Sequence, residues 1–288
     1  MKYKGILLAG GNGTRLSPAS KVLNKQLIPI YDKPLIFYSL SILMLSNIRE
    51  ILIICKNEDK EKYFNLFGDG KRLGLKISYD YQDVPKGIPE GLVIGEKFIG
   101  TKDNIALILG DNFFYGQGLS SLLLNAKKDY KYSTIFLYNV KSPENYGIVE
   151  FNNKKISKII EKPKKTNSTL AITGLYFFKN SAINVAKGLK KSKRNETEIV
   201  DVIKFFLKKK QLKTKVLGRG YSWLDTGTFE GLFNASSYVH AIESRQEKKI
   251  ACLEEIALTK KWINKNQVLK NILYYGNCEY SSYLKKII

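Results

Sequence analysis

The chain has 288 residues, and its 48 Lys and Arg against 26 Asp and Glu give a formal net charge of +22 at pH 7. This length is enough to bury a large core in one domain or in two. The longest nearly apolar stretch, residues 35–45, is about half of the roughly 20 residues that a membrane-spanning helix requires, which argues against a membrane protein. The three cysteines are widely spaced and lack CxxC spacing, which argues against a disulfide framework or a zinc site, and we expect a cytoplasmic protein.

The positive charge is compatible with nucleic-acid binding, but its composition favours another interpretation. Only six of the 48 basic residues are arginines, whose bidentate fork is the usual means of recognising bases and phosphates. The lysines are scattered, with short clusters such as residues 208–210. We therefore expect a solvated, lysine-rich surface that attracts anionic substrates, and no nucleic-acid partner. A basic nucleic-acid-binding protein is the distant alternative.

The first apolar run, residues 5–9, comes directly before a cluster of glycines and is expected to be a first strand rather than a secretion signal. Strand and helix patterns then alternate. The predicted strands that follow are 51–55, 77–81, 105–109 and 133–140, and the predicted helices between them are 35–46, 60–67, 90–98 and 119–127. This alternation predicts a doubly wound, mostly parallel α/β sheet that binds its ligands beyond the carboxyl ends of the strands.

The pattern changes after residue 140. Shorter strands at 148–151, 156–161 and 171–178 predict a β-rich lid over the edge of the sheet. Helical patterns return at 196–210 and 228–247. The tail, residues 254–288, has a helical pattern, and its tyrosines are expected to pack it onto the body or onto a partner subunit.

The segment Gly10-Gly11-Asn12-Gly13-Thr14-Arg15-Leu16, with Lys25 ten residues beyond Arg15, carries the strongest local signal. Three glycines allow a tight turn with backbone N–H groups against a bound anion, and two cations flank the same place. This predicts a loop for a nucleoside triphosphate. The segment is not a P-loop, because Gly-Lys-Ser/Thr is missing, and not a dinucleotide fingerprint, because Leu16 stands where a glycine is required. A plain structural turn is the alternative.

Two acidic residues follow apolar segments that are far apart in the chain. Asp111 comes directly after residues 107–110, and Asp225 stands between an apolar segment and a glycine turn. Carboxylates at strand ends suit a hard cation, so together with the phosphate loop they suggest a Mg²⁺ ion held between the protein and phosphates. Each acid alone is equally compatible with a turn cap, and Asp225 with a helix N-cap.

A few further side chains are candidates on chemical grounds. Glu161 can accept hydrogen bonds from hydroxyls and Lys162 can hold a phosphate, with a surface ion pair as the alternative. Gln82 offers an amide that suits the edge of a nucleobase. Arg194 lies in a basic run, where a solvated cation is the simple interpretation. The single histidine, His240, is expected to pack in a helix, so a catalytic triad is unsupported.

The motifs form a recognisable set when they are taken together. They are residues 10–16, Lys25-Gln26-Leu27, Tyr31-Asp32-Lys33-Pro34, Leu109-Gly110-Asp111-Asn112, Tyr146-Gly147, Glu161-Lys162-Pro163, Thr173-Gly174-Leu175-Tyr176, and residues 223–228 and 250–256. This set resembles that of the glucose-1-phosphate thymidylyltransferases, collinearly from about residue 3 to residue 285. The resemblance implies a Rossmann-like, doubly wound mixed sheet of the nucleotidyltransferase type, with a β-rich sugar-binding lid and a helical C-terminal segment.

The resemblance also implies an activity. The protein would form dTDP-glucose and pyrophosphate from dTTP and glucose 1-phosphate with Mg²⁺, as the first step toward dTDP-deoxysugars such as dTDP-rhamnose, and it would be a homotetramer. A nucleotidyltransferase domain is expected at 1–247, with a nucleotide-binding part at 1–140 and a sugar-phosphate-binding part at 141–227. A helical extension is expected at 248–288.

The resemblance assigns roles to individual residues. It implies catalytic roles for Arg15, Lys25, Asp111 and Asp225, and metal binding by the two acids. The implied nucleotide-binding residues are Gly10, Gly13, Thr14, Arg15, Lys25, Gln26, Gln82 and Gly87. The implied sugar-phosphate-binding residues are Asn112, Tyr146, Gly147, Glu161, Lys162, Ile172 and Arg194.

One segment departs from the family pattern. After Gln82 the family usually has Pro-Ser-Pro-Asp-Gly-Leu-Ala-Gln-Ala, whereas residues 83–91 read Asp-Val-Pro-Lys-Gly-Ile-Pro-Glu-Gly. Gly87 is kept, and Pro89 with Glu90 suits the start of a helix, which we expect to persist. A transferase that prefers UTP is therefore the closest alternative. A non-catalytic sugar-nucleotide sensor is disfavoured because all four catalytic candidates are present.

Overall fold

The computed structural model describes residues 2–82, 84, 86–192 and 194–288. The strands are β1 (Tyr3–Leu8), β2 (Pro29–Ile30), β3 (Lys33–Pro34), β4 (Glu50–Cys55), β5 (Lys76–Tyr81), β6 (Asn104–Leu109), β7 (Asn112–Gly116), β8 (Ser133–Asn139), β9 (Gly147–Asn152), β10 (Lys155–Glu161), β11 (Leu170–Phe178), β12 (Leu212–Val216) and β13 (Tyr221–Asp225). The α-helices are α1 (Leu35–Leu45), α2 (Lys60–Phe67), α3 (Glu90–Ile94), α4 (Glu96–Ile99), α5 (Leu119–Lys128), α6 (Ala182–Lys187), α7 (Ile199–Lys208), α8 (Phe229–Gln246), α9 (Leu253–Thr259), α10 (Lys265–Tyr275) and α11 (Glu279–Lys286).

The main sheet has the order β10-β9-β11-β6-β1-β4-β5, and β8 and β12 join it through β11. Strands β6, β1, β4 and β5 are parallel, which confirms the predicted doubly wound half. The strand order reverses beside β1, because β4 lies on one side of it and β6 on the other. Leu8 at the end of β1 is in register with Leu109 at the end of β6, and Gly110 N donates to Leu8 O at 2.8 Å. The two loops that follow these strands therefore start side by side, where such sheets bind ligands.

The β-rich segment after residue 146 is present, but it differs from the expected lid. Strand β11 pairs antiparallel with β6 and with β8, and β9 and β10 continue the same sheet at its edge. The segment is therefore a part of the main sheet rather than a layer above it. The reason lies in β11, which is apolar along most of its length and buried from Ala171 to Phe178, so it needs neighbours on both sides.

Three strands have no counterpart among the predicted ones. Strand β12 has the polar sequence Leu-Lys-Thr-Lys-Val and lies at an edge of the main sheet, so it has no apolar run. Strands β7 and β13 form a separate antiparallel ribbon in which Asp225 lies opposite Asn112. This ribbon joins two segments that are more than a hundred residues apart in sequence.

The predicted helix at 90–98 is interrupted at Gly95, which separates α3 from α4. A Cβ atom at Gly95 would lie 2.5 Å from Cδ1 of Ile6 in β1. The glycine thus lets this region approach the central strand more closely than any other residue would allow.

The core lies on both faces of the main sheet. Helix α1, which is apolar on nearly every side, packs on one face together with α5 and α9. Helices α3, α6 and α7 cover the other face. Among the described residues, no helix combines the length and the apolarity that crossing a bilayer requires.

The C-terminal helices are attached to the body through one buried carboxylate. Glu254 is fully buried and accepts hydrogen bonds from Tyr275 Oη at 2.9 Å and from Tyr280 Oη at 2.7 Å. Arg72 of the body donates to the Tyr275 hydroxyl at 3.0 Å and forms an ion pair with Glu254 at 3.4 Å. The expected packing of the tail tyrosines onto the body is therefore observed within one chain. The division of the chain at residue 247 stays a prediction.

Candidate active site

The glycine-rich loop follows β1 directly. Gly13 has a φ angle of +58°, a conformation that disfavours side chains, and it opens the short 3-10 helix Thr14–Leu16. Leu16 is completely buried and anchors this turn in the core, whereas Arg15 is exposed. The loop thus holds Arg15 at the carboxyl end of β1 with its side chain available to a ligand.

Lys25 and Asp111 form an ion pair across the ends of β1 and β6. Lys25 Nζ lies 2.6 Å from Asp111 Oδ2, and Lys25 is only 5% exposed. Burial alone would raise the pKa of Asp111, but the charge of Lys25 and its hydrogen bond outweigh burial and hold that pKa below its ordinary value. The Asp111 carboxylate is therefore ionised and fixed in place.

The β7–β13 ribbon brings Asp225 to the same place. Because Asp225 lies opposite Asn112, it is adjacent to Asp111, and Thr226 Oγ1 donates to Asp111 O at 2.8 Å. The pKa of Asp225 is raised, first by burial and then by the negative charge of Asp111, while Lys25 and Arg15 oppose the rise. Two acids that are distant in sequence thus share one electrostatic environment, as the sequence predicted.

The guanidinium group of Arg15 faces this acidic pair. A Cβ atom at Gly227 would lie 2.7 Å from Arg15 Nη2 and 3.2 Å from Asp225 Oδ1, so the glycine makes room for both groups. The positive charge of Arg15 also lowers the pKa of Asp225. Cations and carboxylates therefore meet at one point, which is what phosphate groups bound through a metal ion require.

The donor set fits a hard divalent cation. Within the described part of the chain, no group of three or more His, Cys, Asp or Glu side chains is arranged to hold a metal ion. The adjacent carboxylates of Asp111 and Asp225 supply protein oxygen ligands, and water and phosphate oxygens are the ligands that complete such a site for Mg²⁺.

A cavity of about 210 Å³ opens beside this acidic pair. Its walls include every residue that was predicted to bind the sugar phosphate, together with Arg15, Asp111 and Asp225. The predicted residues among them are Asn112, Tyr146, Gly147, Glu161, Lys162, Ile172 and Arg194. The structure therefore brings the proposed sugar-phosphate residues and the proposed catalytic residues to one cavity.

Asn112 lines the cavity, but its side chain is engaged within the protein. Its Oδ1 accepts from Trp223 Nε1 at 2.6 Å and from Gly174 N at 2.9 Å, and its Nδ2 donates to Asp111 Oδ1 at 3.0 Å. Gly174 sits at an irregularity in β11, which turns its N–H toward Asn112. Asn112 thus positions Asp111 and ties three segments of the site together.

Arg194 is held at the mouth of the cavity by acidic side chains. It forms ion pairs with Glu161 at 3.3 Å, Glu196 at 3.2 Å and Glu198 at 3.7 Å. Burial, followed by the charge of Glu198, raises the pKa of Glu161, while Lys162 and Arg194 oppose the rise. Anionic and cationic groups alternate here, which suits a ligand that carries both hydroxyl and phosphate groups.

Several residues of the site had no role in the sequence analysis. Trp223 and Thr226 support Asn112 and Asp111, and both lie in the motif at 223–228, so they were within reach of the sequence. Glu198 lines the cavity and accepts a hydrogen bond from Ser192 Oγ at 2.7 Å. No sequence signal distinguishes Glu198 from other acids on a helix boundary.

The remaining predicted nucleotide residues lie around the glycine loop. A Cβ atom at Gly10 would lie 3.3 Å from Gln82 O, so the first glycine and Gln82 are in contact. Gln26 is 3% exposed, and its Oε1 has no hydrogen-bond partner among the described residues, which leaves an acceptor for a ligand. Asp83 and Pro85 of the segment that departs from the family pattern lie outside the described residues.

Gly87 connects the nucleotide side to the sugar-phosphate side. It has a φ angle of +114°, and a Cβ atom here would lie 2.0 Å from Thr197 O. The preceding residue, Lys86, accepts hydrogen bonds through its carbonyl oxygen from Thr197 N at 2.8 Å and from Thr197 Oγ1 at 3.1 Å. The predicted nucleobase loop and the loop that carries Arg194 are therefore in direct contact.

We expect Gly87→Ala to raise the KM for both substrates and to lower the melting temperature, because the new methyl group separates these loops. The matched control is Gly100→Ala, at another glycine with positive φ (+72°), where an added Cβ atom would have no neighbouring atom within 4 Å. The control carries only the backbone strain, which is about 1–3 kcal/mol. Equal KM values for Gly87→Ala and Gly100→Ala would contradict the expectation.

Comparison with known proteins agrees with this geometry. Residues 4–242 match the family model described as nucleotidyl transferase. The chain is 46% identical to the glucose-1-phosphate thymidylyltransferase of Neisseria meningitidis serogroup A over 286 residues, which is 99% of each protein. A solved Bacillus anthracis protein with the provisional name glucose-1-phosphate thymidylyltransferase is 33% identical, with a TM-score of 0.75 over 82% of this chain and 94% of that one. A UDP-glucose pyrophosphorylase in complex with UDP-glucose is 25% identical, with a TM-score of 0.72 over 84% of this chain and 100% of that one. The chain therefore belongs to the nucleotidyl transferase family and groups within it with the glucose-1-phosphate thymidylyltransferases.

Proposed function

We propose that the protein transfers the thymidylyl group of dTTP to glucose 1-phosphate and releases pyrophosphate. The observation that carries this proposal is the pairing of Asp225 with Asn112 in the β7–β13 ribbon. It joins an acidic pair and the glycine loop at one end to a cavity lined by Glu161, Lys162 and Arg194 at the other. This arrangement suits a polyphosphate beside a phosphorylated sugar.

The reaction is an in-line displacement at the α-phosphorus of dTTP. An oxygen of the sugar phosphate forms a bond to this phosphorus while the bond to the bridging oxygen of the leaving pyrophosphate breaks. The attacking oxygen is already ionised, so no general base is needed. Positioning and the stabilisation of negative charge supply most of the catalysis.

The cations of the chain have distinct positions for this reaction. Arg15, on its exposed turn, stabilises the charge that develops on the leaving pyrophosphate and on the phosphorus oxygens. Lys25, fixed by Asp111, reduces the repulsion between the two phosphates that approach each other. Lys162 and Arg194 hold the phosphate of the sugar at the cavity.

Asp111 and Asp225 are the residues that would hold Mg²⁺. When bound, such an ion polarises the α-phosphate and orients it for attack. Asn112 keeps Asp111 in position through its hydrogen bond to Oδ1, and Thr226 fixes the backbone between the two acids.

The test is a pyrophosphate-release assay with glucose 1-phosphate, Mg²⁺ and each of dTTP, UTP, CTP, ATP and GTP, with the sugar nucleotide identified by mass spectrometry. We expect dTTP to give the highest kcat/KM, with dTDP-glucose as the product. Absence of turnover with both dTTP and UTP would overturn the proposal.

A preference for UTP is the second candidate. It is favoured by the likeness to a UDP-glucose pyrophosphorylase and by the altered sequence at 83–91. Thymine and uracil differ by one methyl group, which is worth about 1–3 kcal/mol of discrimination. The same assay separates the two candidates. A homotetramer and the absence of a nucleic-acid partner are further parts of the proposal, and sedimentation and a DNA-retardation assay test them.

A further inference from the structure

We propose that Glu90 is a positioning residue that fixes the amide of Gln82 in one orientation, so that the site accepts thymine or uracil and rejects cytosine. This inference rests on the proposed function, because it concerns the base of the same nucleotide. It starts from a hydrogen bond in which Gln82 Nε2 donates to Glu90 Oε2 at 2.5 Å.

Glu90 is itself held by donors on both of its oxygens. Lys86 N donates to Oε2 at 3.1 Å, and Lys86 Nζ forms an ion pair with Oε1 at 3.3 Å. An ionised carboxylate accepts hydrogen bonds and donates none, so only the nitrogen end of the Gln82 amide can face it. The chemistry of Glu90 therefore decides which end of the amide is left for a ligand.

The oxygen end of this amide faces the glycine loop. A Cβ atom at Gly10 would lie 3.6 Å from Gln82 Oε1. The backbone of Gln82 is fixed at the carboxyl edge of the sheet, because Gln82 N donates to Cys55 O at 2.9 Å. Both Gln82 and Glu90 have partly exposed side chains, so a base that approaches over Gly10 can reach the amide.

The orientation of the amide selects between bases. With its nitrogen bound to Glu90, the amide offers its carbonyl oxygen as an acceptor and the second N–H of Nε2 as a donor. This edge complements the N3–H donor and the carbonyl acceptor of thymine or uracil. Cytosine carries an acceptor at N3 and an amino group beside it, so it needs the amide turned over. Turning it over would place Oε1 against the carboxylate of Glu90, with two acceptors facing each other and no proton between them.

The same argument predicts different outcomes for two substitutions at one position. Glu90→Met removes both acceptors at similar side-chain length, so the amide of Gln82 can turn freely. Glu90→Gln keeps one amide oxygen, which can still accept from Lys86 N and from Gln82 Nε2, so most of the selectivity should be retained. A role in folding alone would lower the use of dTTP and of dCTP by the same factor.

The experiment measures kcat/KM with dTTP and with dCTP for the wild type, Glu90→Met, Glu90→Gln and the control Glu96→Met. Glu96 is exposed and pairs with Lys187 on α6, away from Gln82. We expect Glu90→Met to lower the ratio of dTTP to dCTP by about tenfold or more, which is the usual contribution of a bidentate base contact. Glu90→Gln and Glu96→Met should keep the ratio within about twofold.

Binding of dTTP and of dCTP, measured by calorimetry, distinguishes a failure of this inference from a failure of the proposed function. If the wild type binds dTTP selectively without turning over glucose 1-phosphate, the proposed function is wrong, and the affinity ratio of Glu90→Met still tests the role of Glu90. An unchanged ratio in Glu90→Met, or a wild type that binds neither nucleotide or both equally, would overturn the inference.

Discussion

Replacing Arg15 by alanine is expected to lower kcat in the pyrophosphate-release assay by more than about 100-fold, the typical loss for a group that stabilises charge in a transition state. Arg15 is exposed on its turn, and its guanidinium group lies against Gly227 beside Asp225. It has no part in the core, so the melting temperature should change little. The loss should therefore appear in the rate and not in the stability.

Two further variants show whether the loss is specific. Arg15→Lys keeps the charge but loses the planar fork, and we expect an intermediate rate. Arg245→Ala removes an exposed arginine from the last turn of α8 and should leave the rate unchanged. Normal turnover by Arg15→Ala would show that its assigned role is wrong.

Replacing Asp225 by asparagine is expected to have two opposite effects. Turnover should fall by about 100-fold or more, because a metal ligand that stabilises phosphate charge is lost. The free protein should become more stable, because the pKa of Asp225 is raised by burial and by Asp111. A raised pKa means that the ionised carboxylate opposes folding at neutral pH. Each kcal/mol gained corresponds to about 2 °C in melting temperature for a domain of this size.

The dependence on pH follows from the same shift. The stability associated with a protonated Asp225 is present below its ordinary pKa of 3.8 and is lost as the pH rises through the higher pKa of the folded state. The gain in Asp225→Asn should therefore be largest at neutral pH and should shrink toward acid pH. Thermal denaturation of both proteins as a function of pH measures this.

Asp111→Asn is the matched comparison. The pKa of Asp111 is lowered, so its contribution to stability is present above the ordinary pKa of 3.8 and is lost as the pH falls. Removing its charge also leaves the buried Lys25 without its counterion, and we expect a lower melting temperature. In the presence of dTTP, MgCl₂ should stabilise the wild type but neither variant. A loss of stability in Asp225→Asn equal to that in Asp111→Asn would contradict the raised pKa.

The first half of the sheet was predictable because its signals are local. Apolar runs that end in glycines or acids mark β1 and β6, and parallel strands place their carboxyl ends at one edge. This was enough to place the glycine loop next to Asp111. The interruption at Gly95 and the exposed strand β12 were not predicted, because neither has a distinct hydrophobic period.

The position of Asp225 was predictable only as a hypothesis based on motifs. Its own neighbourhood fitted a helix N-cap equally well, whereas in the structure Thr228 caps α8 with its side chain. The register of β13 against β7 decides the matter, because a shift by one residue would turn the carboxylate to the other face of the ribbon.

The sequence by itself determined the strand ends, the glycine turn with its cations, and the family to which the chain belongs. Only the tertiary structure decided that β11 lies inside the sheet, that Gly87 touches Thr197, and that Glu90 faces the amide of Gln82. The physical reason is that hydrophobic period and turn residues act between near neighbours in the chain. Contacts between distant segments depend on packing and on strand register, which no local pattern specifies.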